Sequence, residues 1–369
     1  MSARPSTGGE RVAVMSDVGG AEVALHFGDP AAEYRAVRES AGVVVRADLA
    51  HLVLRGRDPV RMLQGLITND LAASPATRVV YGAMLTPKGR TIAELRAATA
   101  EGADGTEVWI DLPREVLTAA TDHMRRSIPP LYAKWRDASA EVGMLGVYGP
   151  RARALLQEVL DGPAPTLEED ERAEGSFEGT PVRVVGSRYA GGEDGFEITL
   201  PAEALPPLRD ALLSRGESTG VREVGFAALE TLRIEAGRPR GGHELTEETI
   251  PTEAFESTGM MERAISFGKG CYTGQEVIVR IAHRGHVNRH LRGLVLSGGG
   301  LPAEGTRIFH PESGKDVGWT ASATKSPLLG RPIALAFVRR EVEPGETVHL
   351  GEPGGPEARV TILPFHAED

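Results

Sequence analysis

Apolar residues fall at strand-like and helical spacings in different parts of the chain. The short apolar run at residues 51–54 is typical of a strand, and Asp58-Pro59 after it marks a helix start, because aspartate caps free backbone N–H groups and proline suits the first helical position. The apolar positions that then recur at helical spacing are Val60, Leu63, Leu66 and Ile67. The pattern therefore predicts a strand, a turn and a helix in succession.

The same order returns later in the chain. Residues 144–148 have the pattern of a strand, a Gly-Pro turn follows, and residues 152–159 have one apolar helical face. A glycine-flanked turn at 102–105 precedes a strand and a helix, and so does the turn at 192–195, 90 residues further on. We infer a duplicated α+β unit; chance similarity between common strand–turn–helix runs is the alternative. A duplication creates an interface between halves, where ligands often bind.

The pattern changes in the last third of the chain. Residues 221–236 carry a helical apolar stripe that ends at Gly237. Beyond it the apolar runs become short and are separated by Gly- and Pro-rich turns. These runs lie at 277–281, 291–296, 317–321, 333–338 and 360–363. They predict a small antiparallel barrel or sandwich.

Composition and charge narrow the class of protein. With 41% hydrophobic and 25% charged residues, the 369-residue chain is typical of a soluble globular protein with more than one packed unit. A net charge of -11 argues against general nucleic-acid binding. Neither a bilayer-spanning run nor a signal peptide at residues 1–16 is present in the sequence, so we expect a cytoplasmic protein that does not bind membranes.

The single cysteine lies in the most distinctive string of the sequence. Cys271 excludes an internal disulfide, and alone it cannot supply the roughly four thiolates that usually hold an iron–sulfur cluster. The flanking glycines allow close approach of a partner, and Lys269 and Arg280 favour the thiolate. The alternative is a small buried packing residue. The string is Lys269-Gly270-Cys271-Tyr272-Thr273-Gly274-Gln275-Glu276.

This string resembles the K-G-C-[FY]-x-G-Q-E signature of the YgfZ branch of the aminomethyltransferase (glycine-cleavage T-protein) superfamily. Arg280 matches the arginine that follows the glutamate by four residues in that signature. Other segments are similar to superfamily motifs in the same order. They are residues 64–70, residues 81–90, Gly192-Glu193-Asp194-Gly195-Phe196-Glu197 and Leu232-Arg233-Ile234-Glu235-Ala236-Gly237.

The resemblance covers roughly residues 22–369 and implies an α+β architecture. It assigns residues 1–21 to a flexible N-terminus and residues 22–285 to a duplicated, intertwined folate-binding domain with related parts at about 22–140 and 141–285. Residues 286–369 would form a small C-terminal antiparallel β-barrel. This expectation agrees with the duplication and the all-β tail that the residue pattern indicates.

The resemblance also implies a tetrahydrofolate site. The superfamily places the glutamate of G-E-D-G and the arginine of L-R-x-E-x-G in its folate pocket, and these correspond to Glu193 and Arg233. A carboxylate suits the N–H edge of a pterin, and a guanidinium suits acceptors or a carboxylate. The alternative is that Glu193 belongs to a solvated turn and Arg233 pairs with Glu230 one helical turn away.

The sequence departs from the aminomethyltransferase pattern at Ala93-Glu94. The true transferase carries two adjacent aspartates there, one of which acts beside the folate nitrogens. A glutamate reaches about one methylene further than aspartate, and a displacement of about 1 Å can cost roughly a hundredfold in rate. Classical glycine-cleavage activity is therefore doubtful. Glu94 either contacts bound folate or faces solvent on a strand.

A basic run precedes and enters the predicted all-β tail. Its histidines have no Asp, Glu or Cys within the run to complete a metal site, so we expect no stably bound metal. A partner-docking or structural cationic loop is the more natural interpretation. The run comprises Arg280, His283, Arg284, His286, Arg289, His290 and Arg292.

Three functions remain open at this point. The family resemblance implies a folate-binding accessory factor for assembly or repair of iron–sulfur proteins, including tRNA-modifying enzymes. Cys271 would be its functional thiol, with Lys269 beside it, and would meet an assembly or client protein or a cluster intermediate. The alternative is a tetrahydrofolate-dependent aminomethyl or one-carbon transferase. The third is a folate-binding module without chemistry.

Overall fold

The N-terminal elements pack against the second half of the chain. The computed structural model describes residues 13–192, 194–298 and 300–369. Its first elements are β1 (Val14–Val18), β2 (Ala21–His26), α1 (Pro30–Glu39) and β3 (Gly42–Val45). Residues 14–18, within the segment expected to be a flexible N-terminus, form β1, which pairs with β2. Helix α1 begins like the predicted helix at Pro59: Asp29 accepts a 2.9 Å hydrogen bond from the N–H of Ala32.

The first half of the duplicated domain is a five-stranded sheet with two helices on one face. Its core contains Leu54 and Leu63, both fully buried. The strand order is β5-β6-β7-β4-β8. The elements in chain order are β4 (Leu49–Gly56), α2 (Pro59–Gln64), β5 (Val80–Leu85), β6 (Thr91–Gly102), β7 (Gly105–Pro113), α3 (Leu117–Ser127) and β8 (Ala133–Asp137).

The second half repeats this topology, which confirms the duplication. Its sheet has the order β10-β11-β12-β9-β3-β13, which is the first sheet's order with β3 inserted beside β9. Because β3 comes from before the first half, the two halves are intertwined. The elements are β9 (Val142–Tyr148), α4 (Ala152–Val159), β10 (Arg172–Phe177), β11 (Thr180–Gly186), β12 (Gly195–Pro201), α5 (Leu205–Gly216) and β13 (Arg222–Glu223).

Four helices connect the second half to the tail, and two expectations need correction here. The helix expected at 221–236 begins only at Phe226, because Val221 and Val224 flank β13. The run at 277–281, expected to be a strand, is helical. The helices are α6 (Phe226–Glu235), α7 (Pro251–Phe255), α8 (Met261–Ala264) and α9 (Gln275–Arg284).

Helix α9 forms despite its β-branched residues because its pattern also fits a helix. Ile278 is fully buried in the core, whereas Glu276 and Arg280 are exposed and form an i,i+4 ion pair of 2.6 Å. Gly274 starts the helix with φ +82°, a conformation that favours glycine. The Cys271 string therefore precedes a helix, where the sequence suggested a strand.

The tail is a closed six-stranded antiparallel barrel, which decides between barrel and sandwich. The strands follow the order β14-β17-β16-β15-β18-β19, and pairing of β14 with β19 closes the circle. Leu294 and Val360 are fully buried inside it. The strands are β14 (Arg289–Leu296), β15 (Arg307–Phe309), β16 (Asp316–Ser326), β17 (Arg331–Arg339), β18 (Thr347–Leu350) and β19 (Glu357–Thr361).

Glu235 joins the barrel to the duplicated domain. Its carboxylate is buried and accepts hydrogen bonds from the Tyr34 hydroxyl at 2.6 Å and from Arg38 at 2.7 Å, both on α1. It also accepts a 2.5 Å bond from the hydroxyl of Ser326 on β16. The glutamate of the L-R-x-E-x-G motif therefore holds helix α1, helix α6 and the barrel together.

Candidate functional site

A cavity lies where side chains from both halves of the duplicated domain meet. About 610 Å³ of unfilled space lies among its side chains, with the solvent at its open mouth included. The first half contributes residues of β5, β6 and β7, and the second half contributes residues of β12 and of the loop after β11. Residues 238–240, after α6, also line the cavity, as do residues 46, 48 and 49, Met260 and Arg263. The interface predicted from the duplication therefore contains a cavity.

Glu94 is one of the acidic residues of this wall. It is only 8% exposed, and its carboxylate accepts a 2.5 Å hydrogen bond from the Tyr81 hydroxyl and a 2.7 Å bond from the N–H of Gly241. Burial raises the pKa of Glu94, while these two bonds and the nearby positive charges of Arg240 and Arg263 act in the opposite direction. Of the two positions that the sequence left open for Glu94, the structure places it in the cavity rather than toward solvent.

A second acidic group, Glu197, is part of a buried charge network. It accepts hydrogen bonds from Arg46 at 2.5 Å and from the Tyr148 hydroxyl at 2.7 Å, and it contacts Arg96. Burial alone would raise the pKa of Glu197, but the two arginines lower it to about 2. Arg46 is also held by Asp48 through two bonds of 2.9 Å. The carboxylate is therefore ionised and fixed in position.

Aromatic rings lie under two of the cavity's arginines. The guanidinium of Arg46 is 4.6 Å from the ring centre of Tyr189, and that of Arg263 is 4.4 Å from the ring centre of Tyr81. Such cation–π contacts orient both partners. The wall thus offers carboxylates, guanidinium groups and tyrosines within one enclosed volume.

Arg233, predicted to bind folate, lies outside the described lining of the cavity. It is fully buried and donates to Glu230 at 2.6 Å and Glu244 at 2.9 Å, and to the Ser322 hydroxyl of the barrel at 3.0 Å. The pairing with Glu230 is the alternative that the sequence offered. Arg240, seven residues later, does line the cavity.

Glu193, the other predicted folate ligand, lies outside the described residues. Its motif ends in Glu197, which does line the cavity. The two glutamates have the same side chain, and the sequence offered one signal to choose between them. The sequence Gly192-Glu193-Asp194-Gly195 is typical of a turn, whereas Glu197 stands between the apolar residues Phe196 and Ile198 in β12 and is 1% exposed.

Lys269 fastens the Cys271 string to the body of the domain. Its buried ammonium donates to the carbonyls of Gln64, Ile67 and Asn69 at 2.7–2.8 Å. Burial lowers the pKa of Lys269 to about 8. All three N–H donors of the Lys269 ammonium bind carbonyls, so Lys269 holds the Cys271 string against residues 64–69.

Cys271 itself is exposed, so the alternative of a buried packing residue is wrong. Arg280, expected to favour its thiolate, is instead engaged with Glu276. The rest of the string is anchored, since the N–H of Thr273 donates to the carbonyl of Gly65 at 3.1 Å and Tyr272 is buried. The remaining motif positions, Gly270 and Gln275, flank this anchored turn.

The basic run at residues 280–292 continues from α9 into β14. Within residues 13–192, 194–298 and 300–369, no three His, Cys, Asp or Glu side chains are placed to hold a metal ion. Over the same residues, none of the helices is both long and apolar enough to cross a membrane.

Sequence reasoning missed most of the cavity wall. Tyr81 and Glu197 lie inside motif segments but were not singled out as site residues. Arg46 follows β3, whereas Arg96 and Asp111 lie opposite each other on β6 and β7, and none of the three carries a local signal of a shared site. Alternation on β6 would have paired Arg96 with Glu94, since residues two apart on a strand share a face.

Comparisons with known proteins agree on one family. A family model described as the GCVT N-terminal domain matches residues 7–267, and one described as the glycine cleavage T-protein C-terminal barrel domain matches residues 289–366. An aminomethyltransferase of Rubrobacter xylanophilus is 32% identical over 351 residues, which cover 95% of this chain and 90% of that protein. One of Thermus thermophilus is 31% identical over 354 residues, covering 95% and 94%.

The fold is also found in a solved structure. The crystal structure of the glycine cleavage system aminomethyltransferase T from Bartonella henselae matches with a TM-score of 0.80 and 21% identity, covering 96% of this chain and 94% of that one. At 21% identity this structural match supports the fold alone. The family models and the relatives of 31% and 32% identity support membership of the family. The chain therefore belongs to the aminomethyltransferase, or glycine cleavage T-protein, family.

Proposed function

We propose that the chain binds a reduced folate in the central cavity and that Glu94 is the acid–base group for transfer of an aminomethyl or other one-carbon unit. The observation that carries this proposal is the position of Glu94, a buried carboxylate that lines the cavity between the halves. The curated relatives are named aminomethyltransferases, which supports the same chemistry.

The altered acidic pair is compatible with this role. Neighbouring residues of a strand face opposite sides, and Ala93 is fully buried in the first-half core. Only the second position of the pair can therefore face the cavity in this chain. The chain retains an acid at that position, so the substitution at residue 93 leaves the cavity's own carboxylate in place.

The remaining wall fits a reduced folate. A pterin presents paired N–H donors, and the cavity provides the carboxylates of Glu94, Asp111 and Glu197 as acceptors. A folate also carries carboxylates and carbonyls. Nε and Nη1 of Arg240 are buried and make no hydrogen bond within the described part of the chain, although Nη1 forms an ion pair of 3.6 Å with Glu230. An acceptor on the ligand would satisfy the open donor capacity. Tyr189 offers a ring face beside these groups.

The chain's residues hold Glu94 ready to exchange a proton. Tyr81 fixes one carboxylate oxygen and Gly241 fixes the other, so the group cannot rotate away from the cavity. Burial raises its pKa toward the range in which a general acid or base works best at neutral pH. When bound, the folate supplies the nitrogen atoms that carry the one-carbon unit.

An assay of folate-dependent aminomethyl transfer tests the proposal. Glu94→Gln preserves the shape and removes the ionisable group, so transfer should fall by about 100-fold or more while folate still binds. Cys271→Ser is the control and should leave transfer unchanged. Full activity of Glu94→Gln, or loss of activity in Cys271→Ser alone, would contradict the proposal.

A second candidate, an accessory role in iron–sulfur protein assembly, is favoured by the Cys271 string. We propose it for the same chain because the only thiol is exposed on a turn that Lys269 and Thr273 anchor. An anchored, exposed thiol is accessible to a partner protein or to a transferred cluster intermediate. The resemblance to the YgfZ signature supports this partner class.

Complementation separates the two candidates. Cells that lack their native homologue would receive wild-type protein, Cys271→Ser or Glu94→Gln, and the activity of a radical-type iron–sulfur enzyme would be measured. The accessory role predicts that Cys271→Ser fails and Glu94→Gln restores activity. Equal restoration by wild type and Cys271→Ser would leave the thiol without this role.

A further inference from the structure

The wall residue Arg263 connects the cavity to a buried carboxylate of the second half. Asp170 lies in the connection between α4 and β10 and is 5% exposed. Its two oxygens accept hydrogen bonds from Arg263 at 2.6 and 2.9 Å, in the paired geometry that fixes a guanidinium most firmly. Arg263 in turn lies 4.4 Å from the ring centre of Tyr81.

The backbone of Asp170 is held in an unusual conformation. Its φ is +66°, in the left-handed region that residues other than glycine seldom adopt. Two hydrogen bonds impose it: the N–H of Asp170 donates to Gly186 at 3.0 Å, and its carbonyl accepts from Val79 at 2.9 Å. Such conformations persist only where the surroundings determine them, and they concentrate at functional sites.

We propose that Asp170 and Arg263 are positioning residues for Glu94. Asp170 fixes the Arg263 guanidinium against the Tyr81 ring, and the ring's position sets the hydroxyl that donates to Glu94. Asp170 itself does not line the cavity, so it acts through Arg263 and Tyr81. The inference deepens the proposed acid–base role of Glu94 and rests on it.

Asp170, a residue of the second half, thereby positions Glu94, an acidic residue of the first half. Tyr81 and Glu94 stand on β5 and β6, and Asp170 approaches from across the interface. If Asp170 no longer fixes Arg263, the Tyr81 ring loses its support and Glu94 loses the hydroxyl bond, which favours the ionised carboxylate. The titration midpoint of Glu94 should then rise.

The test is a titration of the Glu94 carboxyl in folate-free protein, followed by ¹³C NMR with labelled glutamate and assigned with Glu94→Gln. Asp170→Asn is the first variant, because asparagine tolerates positive φ better than other residues that could replace it. We expect the midpoint to rise by about one pH unit. The control Glu168→Gln removes an exposed carboxylate that pairs with Arg188, and it should leave the midpoint unchanged.

A second variant keeps the inference testable should Asp170→Asn fail to fold. Arg263→Lys retains the charge, but lysine cannot form the bidentate hydrogen bond to Asp170 and has no planar group to stack on Tyr81. It should therefore raise the titration midpoint of Glu94 as well. A midpoint that stays or falls in the folded variant overturns the inference, even where wild type transfers one-carbon units. If wild type shows no transfer activity but the Glu94 midpoint rises in the variants, Asp170 and Arg263 still position Glu94, and only the proposed function is rejected.

Discussion

The hydroxyl of Tyr81 donates a 2.5 Å hydrogen bond to Glu94 inside the cavity between the two halves. The bond crosses from β5 to β6 within the first-half sheet, and both residues face a volume that the second half closes. Because a hydroxyl donor stabilises the ionised carboxylate, this contact opposes the effect of burial on Glu94.

Tyr81→Phe should therefore shift the pH dependence of transfer to higher pH. Without the hydroxyl, the pKa of Glu94 rises, and a step that needs the carboxylate loses rate at the acidic end of its profile. We expect a shift of about one pH unit in the lower limb. A profile of wild-type shape and position would show that the hydroxyl does not tune Glu94.

Glu197→Gln should destabilise the fold near neutral pH. It leaves the guanidinium groups of Arg46 and Arg96 without their shared carboxylate, and breaking a buried pair costs about 3–5 kcal/mol. Urea unfolding at pH 7 measures the difference in free energy of unfolding. A difference below about 1 kcal/mol would mean that solvent already compensates these charges.

The difference in free energy of unfolding between wild type and Glu197→Gln should also depend on pH. The pKa of Glu197 is lowered from 4.5 to about 2, so the ionised group stabilises the folded state above pH 4.5. This contribution is lost as the pH falls toward 2. The stability advantage of wild type over Glu197→Gln should narrow across that window, and an advantage independent of pH there would contradict the assignment.

Lys269→Met should loosen the Cys271 string without abolishing the cavity. Three carbonyls lose their donor, at a cost of about 1–3 kcal/mol for each buried group left unsatisfied. Amide hydrogen exchange should accelerate at residues 65–71 and at Thr273, whose N–H bonds to Gly65. Unchanged exchange there would mean that other contacts hold the string.

Arg233→Met should act on stability rather than directly on folate binding. The guanidinium holds Glu230 and Glu244 and reaches Ser322 of the barrel, so its loss should lower the free energy of unfolding by about 3–5 kcal/mol. Arg280→Met is a matched helical control, because its exposed pair with Glu276 contributes about 0.5 kcal/mol or less. A folded Arg233→Met protein with normal stability and no folate affinity would restore Arg233 as a ligand.

Local patterns predicted the architecture well. The two strand–turn–helix units, the stop at Gly237 and the short runs of the barrel all follow from spacing and turn residues, which act over a few positions. Helix α9 was missed because Val277, Ile278 and Ile281 suit a strand as well as a helix, and burial of Ile278 decided between them.

The cavity wall was harder to predict because its partners are distant in sequence. Asp170 and Arg263 are 93 residues apart, and Glu94 and Gly241 are separated by 147. Motifs identified segments such as that ending in Glu197, but they could not show which side chain turns inward. For Arg233 the helical spacing to Glu230 carried the better signal.

A crystal structure of the protein with saturating tetrahydrofolate would show whether the cavity between the halves is the folate site. We expect ligand density in this cavity, within contact distance of Glu94 and with an acceptor near Arg240. Binding of tetrahydrofolate elsewhere on the chain, or an empty cavity at saturating concentration, would contradict this expectation.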